Sequence, residues 1–342
     1  MKEETKLFYV GNRLSKFGYN KTSIETLGPQ LESIGFMVRY AGNYQNRFFR
    51  LIEMLFLVNS CKKNEIVLID TYSTLGFWFV YFVAILSKLK QINYICLLRG
   101  GDLPKRIKAS RSIANFIFRN SFKNVAISEY LYRAFADYGF KVELIPNNLN
   151  LKDYKFKSRE TFGPNLIWVR SFAKIYNPTM AALILKDLLS IYPDAKLCMV
   201  GPEMDKSIEE FKLYLRKYNI ESNVKIVGLL TKKEWTALSE DYDFFINTSS
   251  VDNTPISIME AMALGLPVIS SDVGGIPFLL TNGIDGICLP RDNHKAFIDS
   301  IVYLIENPEE AKNIVKNARN KVEKFDWEIV KNDWKQLLET KV

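Results

Sequence analysis

Two carboxylates eight positions apart, Asp252 and Glu260, are the residues of this sequence best suited to do chemistry. Asp252 lies in a loop that follows an apolar strand, and Glu260 lies about two turns into a helix predicted to begin near Pro255–Ile258. Amide groups at a helix start hold phosphate or hydroxyl oxygens, and carboxylates accept strong hydrogen bonds from hydroxyls. The spacing therefore predicts a cavity that grips sugar hydroxyls, although two acids that only cap the helix would give the same spacing.

The residues after Glu260 indicate where this helix ends. Gly265 is a helix-ending residue type, and Leu266-Pro267 begins the next buried strand. Gly274-Gly275 then makes a second tight loop at the carboxyl end of that strand. Ligands of parallel α/β sheets bind at such carboxyl ends, so both loops are predicted to border the cavity.

The stretch Thr248–Pro277 resembles the retaining glycosyltransferases of family four, which share the two-domain GT-B fold. The family signature is Glu, seven residues and Glu, followed by Ala-Met-Ala-x-Gly-x-Pro-Val and a later Gly-Gly. This sequence matches the signature from Glu260 onward, but it has Asp252 in place of the first Glu and Phe278 where relatives often carry another Glu. The resemblance implies transfer of a sugar from a nucleotide-sugar donor, with retention of the anomeric configuration.

The same resemblance assigns three catalytic residues. Glu260 would hold the ribose hydroxyls of the donor, and Asp252 would orient the transferred sugar. Arg170 stands where the family has an arginine that, together with a lysine, neutralises the donor diphosphate. The lysine is absent at the expected distance, so either Lys174 substitutes for it or Tyr176 donates a hydroxyl.

Further positions are assigned to the donor or to the acceptor by weaker similarity. Two early glycines resemble the N-terminal glycine loop of the family, Gly228 matches a loop beside the nucleotide base, and three residues lie at the predicted helix start. The donor-binding set is Gly11, Gly18, Lys174, Gly228, Thr254, Ile256 and Ser257. Arg99 and Asp102 follow a strand where many relatives have His-Gly, and they are assigned to the acceptor side.

No metal or other cofactor is expected. Asp241-Tyr242-Asp243 has the form of a metal-binding Asp-x-Asp motif, but it precedes a predicted strand and so lies at the wrong end for a site. The four cysteines form no CxxC pair, which argues against zinc and fits free thiols in a reducing cytoplasm. They are Cys61, Cys96, Cys198 and Cys288.

The elements predicted around these residues alternate between short apolar strands and helices, which is typical of parallel α/β sheets. The alternation restarts after a polar stretch near residues 150–163. This predicts two Rossmann-like domains facing each other across a cleft: an N-terminal acceptor-side domain over 1–150 and a C-terminal nucleotide-sugar domain over 164–325. Residues 326–342 are predicted to form a helix that returns to the first domain.

Charge is divided unevenly along the chain. The net charge is +8 overall, with +10 in residues 1–150 and −2 in the remainder. Aromatic and basic residues mix from Tyr44 to Arg50 and lead into the apolar stretch Leu51–Val58, a composition suited to an anionic membrane surface. Packing of that stretch in the core, with solvated cations, is an equally open interpretation. Leu75–Leu86 is too short to span a bilayer and is predicted to be a buried helix. No motif for nucleic-acid recognition accompanies the charge.

These observations together predict a cytoplasmic glycosyltransferase, and the charge pattern leaves open a peripheral position on the inner face of the membrane. Its partners would be a nucleotide-sugar and a glycan or lipid-linked acceptor in cell-surface polysaccharide synthesis. Two alternatives remain open: a GT-B sugar-nucleotide epimerase, which would turn over without an acceptor, and a non-catalytic relative, which would not hydrolyse a donor.

Overall fold

The computed structural model describes residues 6–19 and 21–339, which form two compact units. Within the described residues, unit 1 comprises those up to 146 and those from 328 onward, and unit 2 comprises residues 147–327. Each unit contains one six-stranded sheet in which every pair of neighbouring strands is parallel. The alternating pattern read from the sequence thus corresponds to two doubly wound α/β units.

The sheet of unit 1 has the strand order β2-β1-β3-β4-β5-β6. Its strands are β1 (Lys6–Val10), β2 (Met37–Ala41), β3 (Ile66–Thr71), β4 (Asn93–Leu98), β5 (Lys123–Ala126) and β6 (Val142–Leu144). The central strands β3 and β4 are buried almost throughout, as expected for a parallel sheet covered on both faces. Because β2 and β3 lie on opposite sides of β1, the strand order reverses between β1 and β3.

Six helices connect these strands. They are α1 (Ser23–Ser33), α2 (Arg47–Asn59), α3 (Gly76–Leu89), α4 (Leu103–Ala109), α5 (Arg111–Asn120) and α6 (Glu129–Asp137). The prediction that α3 is a buried helix is wrong for one of its faces: Phe77, Val80 and Val83 are buried, whereas Trp78 and Phe82 are exposed. Within residues 6–19 and 21–339, no helix is both long and apolar enough to cross a membrane.

The sheet of unit 2 has the strand order β12-β11-β10-β7-β8-β9. Its strands are β7 (Asn165–Val169), β8 (Lys196–Val200), β9 (Val224–Gly228), β10 (Phe244–Asn247), β11 (Val268–Ser271) and β12 (Ile287–Leu289). Alternate residues of β7 pack on opposite faces: Leu166 and Trp168 join one apolar cluster, and Ile167 joins the other. Both faces of this sheet are therefore covered, and only its strand ends are available to a ligand.

The helices of unit 2 run from α7 to α13. They are α7 (Pro178–Leu188), α8 (Ser207–Tyr218), α9 (Lys232–Leu238), α10 (Ile256–Leu264), α11 (Ile276–Leu279), α12 (His294–Glu306) and α13 (Pro308–Val322). The last helix, α14 (Trp327–Glu339), begins at the unit boundary, and its residues from Glu328 onward belong to unit 1. The helix predicted near Pro255–Ile258 is α10, and it ends as predicted at Gly265, which adopts the left-handed conformation (φ +81°).

Candidate active site

The candidate site of unit 2 lies at the carboxyl edge of its sheet, where the strand order reverses. Strands β7 and β10 are hydrogen-bonded neighbours, while β8 and β11 continue the sheet in opposite directions from them. Arg170 directly follows β7, and the loop that carries Asp252 follows β10. In doubly wound sheets a ligand binds at this point, because the loops on either side diverge and leave a crevice.

Small polar residues fix the loop after β10. The Thr248 hydroxyl accepts a hydrogen bond from Trp168 Nε1 (3.0 Å) and lies 2.9 Å from the carbonyl oxygen of Tyr176. Ser249 donates to Asn247 Oδ1 (2.8 Å), and Ser271 donates to the Ser249 carbonyl oxygen (2.5 Å). These buried bonds hold the first half of the loop against β7 and β11, so the Asp252 side chain projects from a rigid support.

The Gly274-Gly275 loop packs directly against the backbone that carries Asp252. A Cβ added to Gly274 would lie 1.9 Å from the Asp252 carbonyl oxygen, and one added to Gly275 would lie 2.1 Å from the Asn253 carbonyl oxygen. The Gly275 amide donates to the Asp252 carbonyl oxygen at 3.1 Å. Only glycine permits this approach, so the glycine pair of the motif positions the loop of Asp252.

Arg170 is held between an acid and an aromatic ring. Its Nη2 donates to Asp252 Oδ2 in a very short contact, and its guanidinium carbon lies 4.9 Å from the centroid of the Tyr176 ring. Burial lowers the pKa of Arg170 below its ordinary value, while Tyr176 and Glu260 oppose that shift. An arginine nevertheless stays protonated in a protein. A buried cation with one carboxylate partner is suited to bind a second, stronger anion.

Of the two candidates for the missing lysine, Tyr176 is the one that contacts Arg170. Lys174 has an exposed side chain, and its backbone amide donates to Asp205 Oδ2 at 2.9 Å. Tyr176 brings its ring to the guanidinium instead of a second positive charge.

The start of α10 presents buried hydroxyls. Thr254 Oγ1 and Ser257 Oγ are inaccessible to solvent, and neither has a hydrogen-bond partner among the described residues. Ile256, between them, is 44% exposed. The first amides of a helix also lack intrahelical partners and carry partial positive charge. Hydroxyls and amides at this helix start are therefore free to bind oxygen atoms of a ligand.

Glu260 lies further along the same helix and is partly buried. Its Oε1 accepts a hydrogen bond of 2.5 Å from the Tyr154 hydroxyl. Burial raises the pKa of Glu260 above its ordinary value, whereas the Tyr154 hydrogen bond and the positive charges of Lys232 and Arg170 act in the opposite direction. Glu260 and Asp252 thus both interact with Arg170, Asp252 by direct contact and Glu260 through its charge.

The carboxyl end of α10 is fixed by two arginines from elsewhere in unit 2. Arg159 Nη1 donates to the Gly265 carbonyl oxygen and Arg319 Nη1 to the Ala263 carbonyl oxygen, each at 2.7 Å. Cations at this end complement the helix dipole. They hold α10 in place while its amino end faces the crevice.

The remaining donor-side position of unit 2, Gly228, ends β9 on the same edge of the sheet. Its carbonyl oxygen accepts a hydrogen bond from the Gly201 amide at 2.8 Å, and Gly201 follows the neighbouring strand β8. The switch point of unit 2, where the strand order reverses, therefore brings together Arg170, Asp252 and the α10 residues. Gly228 lies two strands away from β7.

Comparison with known proteins shows which proteins this chain is similar to. Residues 153–321 match the family model described as "Glycosyl transferases group 1". The chain is related to the family-four type of glycosyltransferases. The curated relative "Amylovoran biosynthesis glycosyltransferase AmsK" of Erwinia amylovora is 29% identical over 137 residues, which cover 38% of this chain and 34% of that protein. The chain thus aligns with about a third of that relative's length.

Solved structures show that the fold is GT-B. Sucrose-phosphate synthase from Thermosynechococcus elongatus superimposes with a TM-score of 0.83 at 16% identity, covering 98% of each chain. Anabaena HepE, solved in complex with UDP and glucose, has a TM-score of 0.76 at 17% identity and covers 98% of this chain and 100% of its own. The predicted α/β class with two Rossmann-like domains is therefore confirmed.

The unit 1 residues of this GT-B chain divide into two groups. Arg99 is buried and lies 3.5 Å from Asp70 Oδ1, which also accepts a hydrogen bond from the Tyr9 hydroxyl at 2.9 Å. A Cβ on Gly11 would lie 2.7 Å from Asp70 Oδ2, so Gly11 permits the close packing of this buried carboxylate. Asp70 therefore links Gly11 and Arg99 at the end of β3.

The other unit 1 positions are more peripheral. Asp102 is exposed and pairs with Lys105 Nζ at 2.9 Å. Gly18 ends a short 3-10 turn with φ +84°, and a Cβ there would meet nothing within 4 Å. Gly18 acts as a turn former in this structure.

Sequence reasoning missed several side chains that the structure brings to these sites. Tyr154 and Lys232 stand beside Glu260, and Tyr9 and Asp70 surround Arg99. Tyr154 lies in the polar stretch between the predicted domains, where no local pattern distinguishes it. Asp70 does carry a signal, since it is the single charge at the end of an apolar strand.

Proposed function

We propose that this protein is a retaining glycosyltransferase that binds its nucleotide-sugar donor on unit 2. The observation that carries the proposal is the arrangement at the switch point: buried Arg170 lies on one side, and the amino end of α10 with the buried hydroxyls of Thr254 and Ser257 lies on the other. Two of the similar proteins, a biosynthetic glycosyltransferase and a protein solved in complex with UDP, support this assignment.

The chemistry follows from the charges at this edge. Arg170 and the first amides of α10 would stabilise the negative charge that develops on the departing diphosphate, and electrostatic stabilisation of this kind is usually the largest catalytic contribution. Glu260 would accept hydrogen bonds from the ribose hydroxyls. Asp252 would orient the sugar once the diphosphate has replaced it on Arg170. The resemblance supports attack from the face of the leaving group, which preserves the anomeric configuration.

The donor and acceptor are proposed from the similar proteins. HepE binds UDP and glucose, so UDP-sugars are the donors to test first. The name of AmsK refers to the biosynthesis of amylovoran, and a glycan or lipid-linked acceptor in cell-surface polysaccharide synthesis is the corresponding proposal. The acceptor would be recognised by residues of unit 1, among them Arg99 in its buried pair with Asp70.

We further propose that the transfer needs no metal ion. Asp243 of the Asp-x-Asp motif precedes β10, and its Oδ2 accepts a hydrogen bond of 2.7 Å from Asn165, the first residue of β7. The motif thus lies at the amino edge of the sheet, opposite to Arg170 and Asp252. Arg170 and the α10 amides would supply the positive charge instead.

Incubation with a panel of UDP-, GDP- and ADP-sugars is expected to release nucleoside diphosphate from one of them, and the rate should be unchanged by excess EDTA. Release that stops with EDTA and returns with Mg²⁺ or Mn²⁺ would contradict the metal-free proposal. Release without any acceptor together with a changed donor sugar would identify an epimerase. No release and no binding of any nucleotide would indicate a non-catalytic relative.

Unit 1 also carries an aromatic surface that we propose contacts an anionic membrane. Helix α2 begins after Asn46, whose side chain accepts hydrogen bonds from the first amides. One face of α2 buries Met54 and Val58, whereas the other exposes aromatic rings: Phe48 is 67% and Phe56 is 76% exposed. The interpretation that the whole stretch Leu51–Val58 packs in the core is therefore wrong for this outer face.

The cations near this face differ in their environment. Arg47 is exposed, but Arg50 is buried, donates to the Tyr44 carbonyl oxygen at 3.1 Å and lies over the Phe79 ring. Arg50 therefore supports the fold, and its expected role as a headgroup ligand is corrected to a structural one. The net charge of +10 in residues 1–150 favours an anionic bilayer over a neutral partner.

Flotation with vesicles containing phosphatidylglycerol tests this surface. The protein is expected to float at low salt and to be released as salt rises, because headgroup attraction is screened within about 10 Å at 0.1 M salt. Phe48→Ser with Phe56→Ser should abolish flotation, and Arg47→Glu should weaken it. The matched control is Tyr303→Ser with Arg291→Glu, which changes an exposed ring and an exposed cation of unit 2. Absence of flotation at low salt, or normal flotation of the phenylalanine variant, would refute the proposal.

A further inference from the structure

The segment that precedes β7 runs along helix α10. After a 3-10 turn at Leu151–Asp153, the Lys157 amide donates to the Leu264 carbonyl oxygen at 3.1 Å, and Arg159 donates to Gly265. A Cβ on Gly265 would lie 2.5 Å from the Lys157 carbonyl oxygen, so the segment and the helix end are in close contact. This segment therefore has a fixed position relative to every side chain on α10.

Tyr154 extends from this segment to Glu260. Its side chain is 2% exposed, and its hydroxyl donates to Glu260 Oε1 at 2.5 Å. Burial raises the pKa of Tyr154 far above its ordinary value, with the Glu260 charge adding to the shift. The phenol thus remains a neutral donor throughout the physiological pH range. A donor hydroxyl would bind the Glu260 carboxylate beside Tyr154 and beside Trp235, whose side chain also lowers the pKa of Glu260.

Lys232 completes this group from a third element. It is the first residue of α9, its Nζ lies 5.0 Å from the centroid of the Tyr154 ring, and Asp153 Oδ2 lies 3.7 Å from the same nitrogen. The ammonium group is half-exposed and lowers the pKa of Glu260 through its charge. Tyr154 and Lys232, which both lie outside the family motif, therefore act on Glu260.

We propose that Tyr154, assisted by Lys232, is a positioning residue that keeps Glu260 oriented and ionised for the donor. The inference rests on the proposed function, because it takes Glu260 as the ligand of the nucleotide ribose. Neither residue needs to touch the donor. A buried carboxylate without a hydrogen-bond donor would take up a proton more readily, and the protonated acid would be a poorer acceptor for hydroxyl groups.

Tyr154→Phe tests the proposal by calorimetric titration with UDP. Loss of this positioning hydrogen bond, which is not made to the donor itself, should weaken binding by about fivefold to tenfold near pH 6. The deficit should be smaller near pH 8.5 than near pH 6, because a higher pH favours the ionised form of a carboxyl whose pKa is raised. In turnover with the active donor, KM should rise while kcat stays within about twofold. Binding equal to that of the unaltered protein, or a deficit that is the same at both pH values, would overturn the inference.

Four further variants make the result decisive. Tyr242→Phe alters another buried tyrosine of unit 2, which interacts with Cys198 rather than Glu260, and it should bind UDP normally. Lys232 is half-exposed, so Lys232→Gln should fold even if Tyr154→Phe folds poorly, and it should show a smaller loss of UDP affinity. Lys233→Gln should show no loss of UDP affinity. Glu260→Gln separates the two proposals: if it binds UDP normally, the proposed function fails, and if it binds weakly while Tyr154→Phe binds normally, only the positioning role fails.

Discussion

Arg170→Ala is expected to lower turnover at saturating donor by about 100-fold to 1000-fold, the range for loss of one group that stabilises a developing oxyanion. Arg170 is the buried cation at the switch point, with Tyr176 where the family places a lysine. On the proposed function, Arg170 and the α10 amides would therefore stabilise the diphosphate charge in this region. Single-turnover measurement of donor cleavage is the appropriate assay.

The structure adds a complication to this variant, because Arg170 also neutralises Asp252. Removing the arginine leaves a largely buried carboxylate without its partner, which destabilises proteins by about 3–5 kcal/mol. The double variant Arg170→Ala with Asp252→Asn removes that charge and should regain much of the lost Tm, while its turnover stays low. Arg291→Ala, at an exposed cation of the same unit, is the control and should change neither quantity. Full turnover in Arg170→Ala would mean that the diphosphate binds elsewhere.

The sequence predicted the elements of the sheet interior and of α10 well for physical reasons. Buried parallel strands are continuous apolar runs, and the sequences of β3, β4 and β10 consist mostly of such runs. Helix α10 was located by the motif, and its end by Gly265. Strand β2 has no such run, because it is an edge strand whose residues alternate between buried and exposed and include Arg39. A short alternating segment of this kind carries little signal on its own.

Within the candidate site, sequence reasoning found the residues that belong to one motif and missed those brought by the fold. Asp252 and Glu260 are close in the chain, and the predicted Gly274-Gly275 pair holds the loop of Asp252. Tyr154 lies 106 positions from Glu260, so their contact exists only because the segment before β7 packs along α10. Arg50 shows the opposite error: it lies in a basic, aromatic stretch, but the helical turn directs it inward to a backbone carbonyl.

Glu260→Ala is expected to weaken UDP binding by about tenfold to 100-fold, because a carboxylate that accepts hydrogen bonds from ribose hydroxyls contributes roughly 1.5–3 kcal/mol. The alanine variant also leaves the Tyr154 hydroxyl buried without its acceptor. Glu260→Gln avoids this problem, since an amide oxygen can still accept from Tyr154 while the negative charge is lost. Titration calorimetry with UDP on both variants measures the effect, and unchanged affinity in both would refute the assignment of Glu260.

The stability of Glu260→Gln without ligand should change in the opposite direction to its affinity. The pKa of Glu260 is raised in the folded protein, mainly by burial, so the native state holds the proton more tightly than the unfolded chain does. At neutral pH the ionised carboxylate therefore destabilises the fold, and this cost disappears as the pH falls through the raised pKa. Glu260→Gln should have a Tm at neutral pH at least as high as the unaltered protein, and the difference should vanish in acid. An equal or higher Tm together with a lower UDP affinity would indicate that Glu260 is maintained for its ligand. A lower Tm in Glu260→Gln would indicate instead that the carboxylate serves mainly to hold α10 and Tyr154 together.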